Sequence, residues 1–223
     1  MTASPPANRA WTYAGLIIAL FGIPAATLIF KLGGYSRADS GAVVVRELVV
    51  LALVGLLLWL VRAGERLPLS SIGLKRQPVG SAILWSLAAL LAFAAALFAC
   101  LGLILPALGL TYGTSGGGPA VSMAVTALVV IRAGIAEEVF YRGYAIERIE
   151  ALSGSSTLAA VVSLLLFAGF HFSQGIAGII IALCIGAAAT AIYLWRRNLV
   201  ILIVAHFLTD FIPNVLIPLV TGK

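Results

Sequence analysis

Residues 136 to 143 read Ala-Glu-Glu-Val-Phe-Tyr-Arg-Gly within an otherwise apolar stretch, so Glu137, Glu138 and Arg142 stand where a lipid-embedded helix tolerates no charge. An ionisable side chain at bilayer depth costs on the order of several kcal/mol unless it is paired or wet, which makes such groups markers of chemistry or transport. Two adjacent carboxylates suit proton transfer, with one acting as base while the other positions or assists. Glu138 precedes Arg142 by four residues, the favourable order for an ion pair on one helix face. Glu137 is turned away by about 100° and left without that arginine. An unpartnered carboxylate in apolar surroundings is the expected general base.

The chain's two histidines sit in similar settings. His171 closes the run Phe167-Ala-Gly-Phe-His171, and His206-Phe-Leu-Thr-Asp210 puts His206 and Asp210 one turn apart on one face. A lone intramembrane histidine is ordinarily a hydrogen bonder between helices. Three polar clusters in one apolar chain favour a shared site instead. Counting about 1.5 Å per residue from helix ends near Arg148, Thr157 and Asn198, Glu137 lies roughly 16 Å deep, His171 about 21 Å and His206 about 12 Å. All three are within about 10 Å of one level and can converge. Glu137, His171 and His206 could also form a hydrolytic zinc set with one position open to water. The paired histidines of a His-Glu-x-x-His helix are absent, so a metal-free glutamate mechanism without a cofactor is preferred.

These residues need a scaffold, and the composition defines it. Hydrophobic residues make up 62% of the 223 and charged residues 10%, with a mean hydropathy of +1.13. Apolar windows of about 20 residues, the length that crosses a bilayer, run near 11–32, 42–62, 80–105, 120–148, 157–172, 175–195 and 198–220. They lack period-2 alternation, so helices rather than barrel strands carry them. The expected fold is an all-α polytopic transmembrane bundle of seven to eight spans. It forms a single integral domain over 1–223, with no internal repeat of the kind inverted transporters carry. The first window ends at Lys31 with no small-x-small cleavage site after it and reads as a retained helix. Cys100 and Cys184 fall inside apolar windows as packing residues.

Basic residues favour short cytoplasmic loops. Arg62, Arg66, Lys75 and Arg76 follow the second window and Arg196 and Arg197 precede the last, whereas the Gly-rich segment 109–119 has no charge. The N terminus is therefore expected in the cytoplasm, with the site opening toward the cytoplasmic half of the bilayer. The net charge of +6 reflects this topology and contact with anionic headgroups, not a nucleic-acid partner. The polar interruption 63–79 is expected along the cytoplasmic surface. Arg132 reads as an interface or bundle-pairing residue, with a substrate-carboxylate clamp as the sharper option. Arg46 and Glu47 read as a neighbouring pair or interface anchors, and Trp11, Tyr13, Trp59 and Trp195 as belt aromatics.

Glu-Glu-x-x-x-Arg at 137–142, Phe-x-x-x-His at 167–171 and His-x-x-x-Asp at 206–210, in that order on three hydrophobic segments, resemble the CPBP family. This is the CAAX protease and bacteriocin-processing group of intramembrane endopeptidases, which includes the type II CAAX prenyl endopeptidases. The similar stretch covers about 120–215, and Arg-Arg-Asn-Leu at 196–199 adds to it. The resemblance implies that Glu137 and His171 activate water against a peptide carbonyl while His206 and Asp210 stabilise the oxyanion. Many members carry Asn where this chain has Asp210. An ionised Asp cannot donate a hydrogen bond, so orientation of His206 is the favoured role. Glu138, fixed by Arg142, would assist. The implied partner is a membrane-associated peptide or protein, with prenylated tails among the options. A non-catalytic binding, immunity or transport protein is the alternative from another class.

Overall fold

The computed structural model describes residues 9–36, 38–112 and 121–221, and among these every regular element is a helix. Helices α1 (Arg9–Leu32) and α2 (Ser40–Trp59) pack together, and α2 continues through a wide turn at Leu60–Gly64. The Asp39 carboxylate starts α2 by accepting from the Gly41 and Ala42 amides, a cap worth about 1 kcal/mol. A short 3-10 turn at Leu69–Ile72 leads to α3 (Val79–Ala99), which ends in a wide turn and the brief α4 (Leu105–Ala107). Residues 113–119 of the uncharged Gly-rich segment lie outside the described residues.

The second half of the chain builds the centre. Ser122 caps α5 (Met123–Glu137), which runs without interruption into a π-helical stretch, Glu138–Ile146, and on into α6 (Glu147–Ser153). Gly154, at φ 72°, ends α6 in the left-handed region that glycine enters without a Cβ penalty. Every residue of the π stretch is buried, with α1, α5, α7 (Ser156–Gly169) and α9 (Leu199–Phe211) against it. Helix α8 (Gly175–Arg196) folds back on α7 after the turn Phe170–Gln174, and α10 (Ile217–Thr221) follows the last wide turn.

Among the described residues five stretches are long and apolar enough to cross a membrane, so the expected seven to eight spans are not confirmed. One of the five, Ser156–Arg196, is bent at Phe170–Gln174 into the packed pair α7 and α8. The segment bearing Glu137, Glu138 and Arg142 is not one of the five.

Small residues set how closely α9 approaches the charged motif. A Cβ at Gly134 would lie 3.1 Å from the Phe207 backbone nitrogen. One at Gly143 would lie 2.5 Å from Leu199 Cδ1 and 2.8 Å from the Ile72 carbonyl oxygen. Glycines one turn to either side of Glu138 thus let α9 lie directly against that stretch.

The end of the bundle where α1 begins is tied by a second buried ion pair. Arg148 Nε donates to both Glu65 carboxylate oxygens at 3.0 Å, and Tyr144 (2.8 Å) and Thr12 (3.0 Å) also donate to Glu65. Arg148 further donates to the Ser71 carbonyl and hydroxyl. At the same end, Arg197 pairs with Glu147 and Glu150, and the Leu199 amide donates to the Gly73 carbonyl. Arg148, read from sequence as a helix-end marker, is fully buried here.

Candidate active site

Glu137 and Glu138 are consecutive yet belong to different networks. Glu138 is 1% exposed, and its Oε1 accepts from Arg142 Nη1 at 3.2 Å and faces His206 Nδ1 at 2.7 Å. Its Oε2 is buried without a hydrogen-bond partner among the described residues. His206 Nε2 lies 3.5 Å from Asp210 Oδ2. Each ring nitrogen of His206 therefore faces a carboxylate oxygen. The i,i+4 pairs expected from spacing, Glu138 with Arg142 and His206 with Asp210, are both present. Spacing alone did not join them across 68 residues.

Phe167 links this cluster to the other histidine. The Arg142 guanidinium lies over the Phe167 ring at 4.0 Å, with Nη2 3.5 Å from the Gly186 carbonyl oxygen. The Phe167 carbonyl, one turn before His171, lies 2.8 Å from His171 Nδ1. A carbonyl only accepts, so Nδ1 carries the proton, and in the neutral ring Nε2 keeps its lone pair. His171 thus has the tautomer of a base or acceptor, oriented by its own helix.

Glu137 does not stand alone. Arg132 Nη1 lies 3.2 Å from Glu137 Oε1, which corrects the expectation of an unpartnered carboxylate. A separation of five residues is off the helix-neighbour spacings, and the length of the arginine side chain closes the gap. Arg132 Nε also pairs with Glu47 Oε2, and Arg46 holds Glu47 Oε1. Glu47 is fully buried. Arg46 and Glu47 are accordingly a pair, as read from sequence, but one that extends into the bundle through Arg132. The run Arg46–Glu47–Arg132–Glu137 alternates in charge and neutralises itself, which makes its burial tolerable.

A cavity of about 370 Å³ brings Glu137 and His171 together, with Arg132, Glu47, Tyr141 and Gln174 also on its wall. Glu138, His206 and Asp210 are not among its lining residues. Of Glu137, His171 and His206, expected to converge, the first two line this cavity and His206 instead faces Glu138. Among the described residues no group of three or more His, Cys, Asp or Glu is placed to hold a metal ion. His206 is not on the cavity wall that carries Glu137 and His171, so the three residues of the alternative zinc set do not meet at that wall. Glu47, Tyr141 and Gln174 were not anticipated as site residues. The one sequence signal was the Arg46–Glu47 pair interrupting an apolar window.

Long apolar helices define an integral membrane protein, and its buried carboxylates, arginines and histidines gather beside a cavity. Residues 119–212 match the family described as type II CAAX prenyl endopeptidase Rce1-like, and over that segment the chain is similar to this class of CAAX-type intramembrane endopeptidases. The match contains all three motifs. No curated protein and no solved structure matches the chain.

Proposed function

We propose that the protein hydrolyses a peptide bond of a membrane-associated polypeptide, with Glu137 and His171 activating the water. The observation that carries this reading is the shared cavity wall, where Glu137 and a correctly tautomeric His171 are both reachable. Water held between them loses a proton to one of the two as its oxygen attacks the peptide carbonyl. The same proton then goes to the leaving amine as the C–N bond breaks, giving one carboxyl and one amino terminus. Gln174 and Arg132, on the same wall, carry N–H donors suited to the developing oxyanion. Asp210 orients His206, His206 and Arg142 hold Glu138, and Glu138 fixes the backbone from which Glu137 projects. This gives His206 and Asp210 the orienting role rather than direct contact with the oxyanion.

The test is a Glu137→Gln variant, which keeps shape and a hydrogen-bond acceptor but removes the base. Turnover of a membrane-peptide substrate in defined vesicles should fall by about 10²-fold or more. Wild-type turnover in that variant refutes the assignment. The same assay on exhaustively chelated enzyme should show full activity, and activity restored only by zinc would replace the glutamate mechanism with a metal-dependent one.

A further inference from the structure

The two ends of the bundle differ in charge, and the cavity belongs to one of them. Contacts fix which segments share each end. Thr12, Glu65, Ser71 and Arg148 meet in one network, Gly73 bonds Leu199, and Arg197 reaches Glu147 and Glu150. That end carries Arg62, Arg66, Lys75, Arg76, Arg196 and Arg197. The opposite end, formed by the close of α1, the turn into α2 and Phe170–Gln174, carries Lys31 and Asp39, with Arg37 between them in sequence. Excess Lys and Arg in short connections marks the cytoplasmic side. The α1–α2 turn is then on the other side.

A second cavity, of about 590 Å³, lies at this poorly charged end. Its walls include Lys31, Tyr35 and Ser36 at the turn and the exposed Phe172. It shares Ile23, Thr27, Val43, Arg46, Phe170 and Ser173 with the cavity holding Glu137 and His171, so the two adjoin through common walls. None of the arginines of the opposite end lines either cavity.

We propose that substrate reaches Glu137 and His171 from the non-cytoplasmic face of the membrane, through the groove between α1 and α2. This rests on the protease reading and narrows its substrate to a membrane-anchored polypeptide whose scissile bond lies in the outer half of the bilayer. Tails confined to the cytoplasm do not meet that requirement. It reverses the opening expected from counting residues inward from the arginine-bearing helix ends. That count gives depth, whereas the cavity walls give the direction of access.

The test uses the full chain in sealed right-side-out vesicles, with a membrane-impermeant maleimide and two single variants, Ser36→Cys at the groove mouth and Lys75→Cys at the opposite end. Both positions are exposed, and the unsubstituted chain reports any background from Cys100 and Cys184. Ser36→Cys should label at once and Lys75→Cys only after detergent. Labelling of Lys75→Cys in sealed vesicles with Ser36→Cys protected overturns the proposal. A third variant, Phe172→Cys, tests the route: its turnover should be lost on labelling relative to the same protein unlabelled. Unchanged turnover in the labelled Phe172→Cys overturns the groove as entrance. Labelling reads sidedness without catalysis, so the expected pattern in a chain with no peptidase activity counts against the protease reading and not against the topology.

Discussion

Replacing Arg142 with methionine keeps most of the side-chain volume and removes three contacts at once. These are the 3.2 Å pair with Glu138, the guanidinium over Phe167 at 4.0 Å and the hydrogen bond to the Gly186 carbonyl. Both partners of the pair are almost wholly buried, at 2% and 1% exposure, so Glu138 is left as a charge with little access to water. Breaking a buried pair from one side costs about 3–5 kcal/mol. Glu138 keeps His206 at 2.7 Å, which puts the cost near the lower bound, and loss of the cation over an aromatic ring adds about 1 kcal/mol. The expected destabilisation is about 4 kcal/mol. Reversible unfolding of the purified protein by denaturing detergent in mixed micelles measures it. Removing the charge on both sides, in Arg142→Met with Glu138→Gln, should recover at least half of the loss because no uncompensated carboxylate remains. A single variant within about 1 kcal/mol of wild type refutes the reasoning, as does a double variant no more stable than the single one.

Two further outcomes separate positioning from stability. Gly134→Val should push α9 off α5, because its first side-chain carbon would meet the Phe207 backbone nitrogen at 3.1 Å; the expected result is a fall in turnover of about tenfold or more as His206 leaves Glu138. Wild-type turnover in Gly134→Val contradicts that coupling. Glu65→Gln strands the buried Arg148 and should cost about 3 kcal/mol in the same detergent titration. Turnover per folded molecule should not change, because Glu65 lines neither cavity. An unchanged unfolding midpoint refutes the first statement, and a turnover defect in the folded fraction refutes the second.

What could be read from the sequence is what is local along it. Long apolar windows identify membrane helices whatever they pack against, and four-residue spacing identifies Glu138–Arg142 and His206–Asp210 because a helix face sets both distances. The contacts that assign roles are not local. Glu47 reaches Arg132 across 85 residues, and His206 reaches Glu138 across 68. Counting depth put Glu137, His171 and His206 near one level but could not distinguish sharing a level from touching. The Arg132–Glu137 pair was hidden for a different reason, since five-residue spacing lies off the helix face and depends on side-chain reach. The sequence windows 157–172 and 175–195 fall on α7 and α8, which the turn Phe170–Gln174 separates within one apolar run, and the expected seven to eight spans are not confirmed. Nor does any residue pattern in 138–146 announce the wide π turn that buries all nine of its residues.

The neighbouring carboxylates differ in both access and partners, and the proposed mechanism rests on that difference. Glu138 shares one oxygen between Arg142 and His206, while its other oxygen is buried beyond any described partner. A carboxylate held this way is expensive to move, because any shift exposes a charge to an apolar wall. Among the described residues Glu137 has one ion-pair partner, Arg132 at 3.2 Å, a side chain 15% exposed against 1% for Glu138, and a place on the cavity wall. In the proposed mechanism proton transfer falls to Glu137, the more exposed member of the pair. Because the two are joined by one peptide bond, the rigidity of Glu138 limits how far the Glu137 carboxylate can wander from His171, and positional errors of about 1 Å are enough to cost two orders of magnitude in rate. Arg132 limits the same carboxylate from the other side, and Arg132 is anchored on α2 through Glu47. The proposed base is thus held at two points while its side chain stays on the cavity wall.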